Sequence, residues 1–458
     1  MKKFFRPLTL SWLVGLLVFS SVGNLWASEK FRTDPLSVFV GKDAEPWGRV
    51  ERLIDEHPGF TPEAYPPQGV HLNALIAKWF GGNTAPPSGE FLLHCVKGFD
   101  GKTFPTPVLL VPGSCDNANR GYIHPWDVDL PTPLPNERKG FALHLANLGY
   151  SVFAVTFAHT QGCNIMQSEH VANAITRIRI LLKRQNDPNF KVNIIAHSKG
   201  NIAARLYCSD GRAIFPKKTF LTRFRKDVRN YIAIASPMQG IDTPFRYYLY
   251  NLSLAMKGNL NAPYGADSIL YYGMNKDCRE LTVFNDSKKY FPGQAQMLYN
   301  LVRDGKEPLG LESYTLADGN RTMYSLYFGG KSLLLSSRGI DKAIDDGERL
   351  IYRLNDQGLD PSVSIGVIAG NNPALSFKTE VFGYIPLSHE ILSAPFDGLL
   401  FVSSATYLDG VLKRGAKLIG KEVLHFNHLE VSRESKVLKL IDSWLFEKIK
   451  KPAKPDLE

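Results

Sequence analysis

Cysteine is scarce in this chain, with five among 458 residues, at positions 95, 115, 163, 208 and 278. None of them forms a Cys-x-x-Cys pair or a cluster with histidine, which excludes the usual ligand sets of structural zinc modules. After residue 27 no run approaches the roughly 20 apolar residues that span a bilayer as a helix. Charged residues make up 21% of the chain. Basic pairs such as Lys217-Lys218 and Arg223 with Arg225 are scattered, so the clustered basic stripe of a nucleic-acid binder is lacking. Internal repeats and low-complexity tracts are lacking too, which excludes solenoids and fibrous classes.

What is present fits a large globular protein with 44% hydrophobic residues. The length allows two or three domains, or one α/β domain with insertions. Residues 1–27 read as a signal peptide, with an uncleaved membrane anchor as the alternative. Lys2, Lys3 and Arg6 form the basic start, residues 8–22 the apolar core, and Leu25-Trp26-Ala27 the end before Ser28. A secreted or periplasmic location is expected. Without that segment the net charge falls from +10 to +7, a mildly basic surface suited to anionic lipid or envelope polysaccharide. Export permits disulfides, and the odd cysteine count leaves at least one thiol unpaired or intermolecular. Cys115 and Cys163 each follow a predicted strand, and adjacent strands would bring their loops together, so a 115–163 bridge is expected.

The most telling residues are Ala196-His197-Ser198-Lys199-Gly200. They lie between the mostly apolar run 192–195 and a helix-like stretch, 201–207. Strand, small-x-Ser-x-Gly, helix is the layout of the nucleophile turn of α/β-hydrolases, with Ser198 raised above the sheet. Small residues at 196 and 200 let strand and helix backbones pass closely. The bland alternative is a helix that starts with serine in its first turn.

A nucleophilic serine needs a base, an acid to orient it, and donors for an oxyanion. Upstream, the apolar run 107–111 reads as a buried parallel strand ending in Pro112-Gly113-Ser114. The amides of Ser114 and Lys199 are the expected oxyanion donors. Downstream, Asp397-Gly398 precedes an apolar segment, with Asp409-Gly410 as the rival acid. His425 and His428 compete for the base, and the Asn427-His428-Leu429 context favours His428.

Four blocks, 192–200, 234–240, 396–405 and 427–431, together resemble the secreted bacterial triacylglycerol lipases of the α/β-hydrolase superfamily. The likeness spans about residues 105–445 and is weak between the blocks. It implies Ser198, Asp397 and His428 as a catalytic triad, with Ser114 and Lys199 at the oxyanion hole. The chain departs from the family where Pro112-Gly113 replaces His-Gly, and where the acid block reads Leu399-Leu400-Phe401 rather than Leu-Val-Pro. Some relatives bind calcium through an acid two residues after the catalytic histidine. Glu430 stands there in place of Asp.

The expected fold is therefore an α/β-hydrolase: a mostly parallel sheet flanked by helices, with an inserted lid or cap and an N-terminal extension. Residues 28–104 form the extension, with helical patterns at 47–56 and 71–80. The catalytic domain spans 105–448, with strands at 107–111, 151–157, 231–235 and 322–328 and helices at 138–148 and 168–184. The aromatic-rich stretch 241–320 is an insertion, either a mobile cap of the kind lipases carry there or a fixed helical subdomain. Residues 331–392 form a second insertion, and 449–458 a disordered tail. The leading function is an exported ester hydrolase, most simply a triacylglycerol lipase, that needs no metal or organic cofactor. Its partner is a lipid or other ester, met at a lipid–water interface, with no nucleic acid and no stable protein partner. An esterase of short or polymeric esters, an acyltransferase, and a non-catalytic envelope binding protein are the alternatives.

Overall fold

A computed structural model describes residues 31–60, 70–114, 116–123, 140–246, 292–310, 327–331, 336–337, 339–373, 377–379, 383–385 and 394–445. The expected signal segment, the tail and Cys115 lie outside these residues, as does most of 241–320.

The core is a nine-stranded sheet built from β1 (Phe31–Val40), β2 (Arg49–Asp55), β3 (Glu90–Cys95), β4 (Val108–Val111), β5 (Val152–Phe157), β6 (Val192–His197), β7 (Val228–Ile234), β10 (Ser364–Gly370) and β13 (Lys417–Leu424). Four short strands stand apart as two-stranded pairs: β8 (Gly330–Lys331) with β9 (Ser336–Ser337), and β11 (Phe377–Thr379) with β12 (Gly383–Ile385). The main sheet runs in the order β1-β2-β3-β5-β4-β6-β7-β10-β13. From β5 to β13 all neighbours are parallel, whereas β1, β2, β3 and β5 pair antiparallel.

The central strands β4, β5 and β6 are buried at every position, as expected of parallel strands covered on both faces. One layer holds Phe141, Leu145, Ile202, Leu206 and Ile441, and the other Val171, Ile175, Ile178, Ala203 and Tyr207. These side chains come from helices α2 (Phe141–Leu148), α3 (Asn164–Leu181) and α4 (Gly200–Cys208) and from the last helix, Ser435–Leu445. Among the described residues no helix is long and apolar enough to cross a membrane.

Three sequence expectations need correction. Residues 28–104 are no appendage, because they supply β1, β2 and β3 to the main sheet. Within them 49–55 is a strand, not a helix. The spacing of Val50, Leu53 and Ile54 suits a helix, but Glu51 and Asp55 point inward to partners on α3. Arg177 Nε lies 2.6 Å from Glu51, and Asn173 Nδ2 lies 2.8 Å from Asp55. The stretch 331–392 is also more than an insertion, since it contains β10, which lies between β7 and β13. The strand expected at 322–328 falls mostly outside the described residues, and Tyr327–Phe328 are helical. Tyr327 is fully buried, and its hydroxyl donates to Asp242 at 2.7 Å.

Candidate active site

Ser198 sits where β6 breaks into α4, with φ at +50°, a left-handed conformation rare for a residue with a side chain. Such strain costs about 1–3 kcal/mol and persists only where the surroundings enforce it. Here the Ser198 amide donates to the Ile234 carbonyl on β7 at 3.0 Å. Asn201 holds the other side, its Nδ2 donating to the carbonyls of Ser198 and Ile234 at 3.0 and 3.1 Å. Tyr231 Oη in turn donates to Asn201 Oδ1 at 2.8 Å. His197 and Lys199 are buried while Ser198 is partly exposed, so the turn presents only its serine.

Gly200 allows this geometry. A Cβ there would lie 2.3 Å from the Pro112 carbonyl oxygen, so the helix start packs directly on the end of β4. Gly113 faces the serine in the same way, because a Cβ there would stand 3.0 Å from Ser198 Cβ. The Gly113-Ser114 turn therefore abuts the Ser198 turn. The Ser114 amide donates to no backbone carbonyl among the described residues. The Lys199 side chain is only 2% exposed and donates from Nζ to Gln167 Oε1 on α3.

Asp397 and His428 come from two loops beyond the strand ends. His428 Nε2 lies 2.9 Å from Ser198 Oγ, and its Nδ1 lies 2.8 Å from Asp397 Oδ2. The carboxylate can only accept, so Nδ1 carries the proton and Nε2 is left to accept from the serine hydroxyl. Asp397 is 1% exposed, and its Oδ1 accepts from the amides of Leu399 and Leu400 at 2.9 and 2.7 Å. The backbones are joined as well, since the His428 amide donates to the Asp397 carbonyl at 2.8 Å. The structure thus brings Ser198, His428 and Asp397 into one hydrogen-bonded line.

The rivals lie elsewhere. His425 is exposed, with Nδ1 3.2 Å from Asn371 Oδ1. Asp409 is exposed at the start of the helix Asp409–Leu412. Glu430 closes a reciprocal cap. Its Oε2 accepts from the Asn427 amide at 3.0 Å, while Asn427 Oδ1 accepts from the Glu430 amide at 2.9 Å. Among the described residues no group of three or more His, Cys, Asp or Glu could hold a metal ion.

Sequence reasoning missed His197, Asn201 and Tyr231. Asn201 carried a signal, as a short polar side chain three positions after a serine in a strand-to-helix turn. His197 is buried, with Nε2 3.0 Å from the His428 carbonyl oxygen. Burial, followed by the proximity of His428, holds its pKa well below the ordinary value of 6.5, so the ring is neutral.

Residues 106–249 match the family model for Lipase (class 2). This segment is similar to the class 2 lipases and makes up less than half of the chain. It carries Ser114, Ser198 and Lys199, and the sheet around it is that of an α/β-hydrolase, mostly parallel with helices on both faces. No curated protein matches the chain. Among solved structures it is similar to EstA from Clostridium botulinum, at 12% identity over 75% of this chain and 88% of that one, with a TM-score of 0.38. A highly thermostable carboxyl esterase from Bacillus coagulans is similar at 13% identity, over 78% and 94% of the two chains, with a TM-score of 0.36. The mature form of Bacillus licheniformis lipase BlEst2 is similar at 11% identity, over 74% and 91%, with a TM-score of 0.33.

Proposed function

We propose that this protein is an exported serine hydrolase that cleaves carboxylic esters, with triacylglycerols as its substrates. The observation that carries the reading is the line Asp397–His428–Ser198, closed by contacts of 2.8 and 2.9 Å. Ser198 Oγ attacks the acyl carbon as its proton passes to His428 Nε2. Asp397 stabilises the imidazolium through Nδ1–H and keeps the ring in the useful tautomer. The amides of Ser114 and Lys199 stabilise the oxyanion of the tetrahedral intermediate. Collapse expels the alcohol, which takes its proton from His428, and water then releases the acid by the same route. The choice of triacylglycerol rests on the class 2 lipase match of residues 106–249 and the four sequence blocks. Export rests on the pattern of residues 1–27, which lie outside the described residues.

A fluorophosphonate probe tests the nucleophile. Wild type should be labelled at Ser198, and Ser198→Ala should lose both labelling and ester hydrolysis. Triad removal costs about 10⁴- to 10⁶-fold in rate. Labelling at another serine would overturn the assignment. Parallel assays on soluble short-chain p-nitrophenyl esters and emulsified long-chain triglyceride test the substrate class. Hydrolysis confined to the short esters would replace lipase by esterase. A mature protein beginning at Ser28, recovered outside the cytoplasm, is the outcome expected for export.

A further inference from the structure

We propose that His197 is a positioning residue that fixes the backbone of the base His428 through a hydrogen bond from the position next to the nucleophile. The inference rests on the roles proposed above for Ser198 and His428. A carbonyl oxygen can only accept, so the 3.0 Å contact between His197 Nε2 and the His428 oxygen places the proton on Nε2. Together with the amide bond from His428 to the Asp397 carbonyl at 2.8 Å, this holds the His428 peptide groups on both sides. The imidazole then has little freedom except rotation about its own side-chain bonds, and Asp397 Oδ2 and Ser198 Oγ fix that rotation.

The geometry of the neighbourhood supports the role. His197 is the last residue of β6, the strand that delivers Ser198. A displacement of that strand end therefore carries nucleophile and base together, and the Oγ–Nε2 distance is preserved. The two imidazoles lie 5.2 Å apart between ring centroids, tilted by 44°. A second cation at that distance would oppose the imidazolium that forms on His428 during acylation. A buried neutral ring supplies the donor without that penalty. The Ser198 hydroxyl is hydrogen-bonded to His428 and His197 to the His428 carbonyl, so His197 acts through His428.

The test uses the full-length protein and three variants. His197→Gln places an amide nitrogen near the position of Nε2 and keeps a donor. His197→Leu and His197→Met fill the space without one. A misplacement of a catalytic group by about 1 Å can cost about 100-fold. The expected result is a fall of that size in kcat for the donorless variants, with KM unchanged and melting temperature nearly so, and recovery of most of kcat by His197→Gln. Amide exchange across residues 425–431 should quicken in the donorless variants and not in His197→Gln. A donorless variant that folds and keeps wild-type kcat and exchange would overturn the proposal, as would a glutamine variant as impaired as leucine. Exchange is read whether or not esters are cleaved. A wild type inert to esters and fluorophosphonate would therefore sink the hydrolase reading, while the exchange result would still judge the bond to His428.

Discussion

At the residue scale the site depends on which side chains reach one another, and near neighbours in sequence differ sharply in this. His428 lies within hydrogen-bond reach of both Ser198 and Asp397, whereas His425, three residues away, is exposed beside Asn371. We expect His428→Ala to lower kcat as severely as loss of the serine, and His425→Ala to change it less than threefold. Asp397→Asn should lower kcat by about 10⁴-fold, because an amide favours the wrong imidazole tautomer. Asp409→Asn should have little effect. Steady-state kinetics on one soluble ester decides both comparisons, and a reversal within either pair would sink the assignment. These positions were legible in the sequence because they carry local signatures, the serine between strand and helix and Asp-Gly and Asn-His-Leu in order behind it. His197 was not legible as a partner of His428. Its bond to residue 428 spans 231 positions, and a buried histidine beside a serine has the same local pattern whether it packs or orients.

At the element scale the central parallel strands were readable, while the antiparallel edge and the parallel strand β10 were not. Strands β4, β5 and β6 are largely apolar runs, which is how a strand covered on both faces appears in a sequence. Strand β2 reads otherwise because its inward side carries Glu51 and Asp55 at 0% and 2% exposure. Their partners on α3 lie more than a hundred residues away, so no local pattern announces them. The position of β10 was hidden for a related reason, because its neighbours β7 and β13 are both distant in the chain. The Glu51–Arg177 pair fastens β2 to α3 with contacts of 2.6 and 2.9 Å. Removing one partner of a buried pair costs about 3–5 kcal/mol, since the other charge is left uncompensated. Arg49 also reaches Glu51, which places Arg177→Met at the lower end, about 3 kcal/mol. Urea unfolding should show that loss while kcat of the folded variant stays near wild type. An unchanged midpoint would mean that the pair holds nothing together.

At the scale of the whole molecule, the described core contains imidazoles that burial keeps neutral. The pKa is pushed down from 6.5 to about 4 at His71, to about 3 at His94 and to about 3 at His170, and it is lowered at His197 as well. In the unfolded chain these groups take up protons near pH 6.5, whereas the folded protein resists until the lower values are reached. The unfolded state therefore binds more protons below pH 6.5, and stability falls as pH falls. Two buried carboxyls oppose the trend. Burial raises Glu169 from 4.5 to about 7 and also raises Asp116 above 3.8, so their stabilisation is present at low pH and lost as pH rises through the folded value. Four imidazoles outweigh two carboxyls between pH 4.5 and 6.5, and the melting temperature should drop steadily across that window. His170 is the residue to change, because its ring stacks among Phe60, Phe91 and Phe157 at centroid distances of 5.1, 4.9 and 6.0 Å. His170→Phe suits the same aromatic slot and takes up no proton in the unfolded chain. It should flatten the acid slope by up to about 1.4 kcal/mol per pH unit and raise the melting temperature most at the acid end. Calorimetry at half-unit steps reads this directly, and a variant that loses stability toward acid as steeply as wild type would show that the buried imidazoles do not set the acid limit.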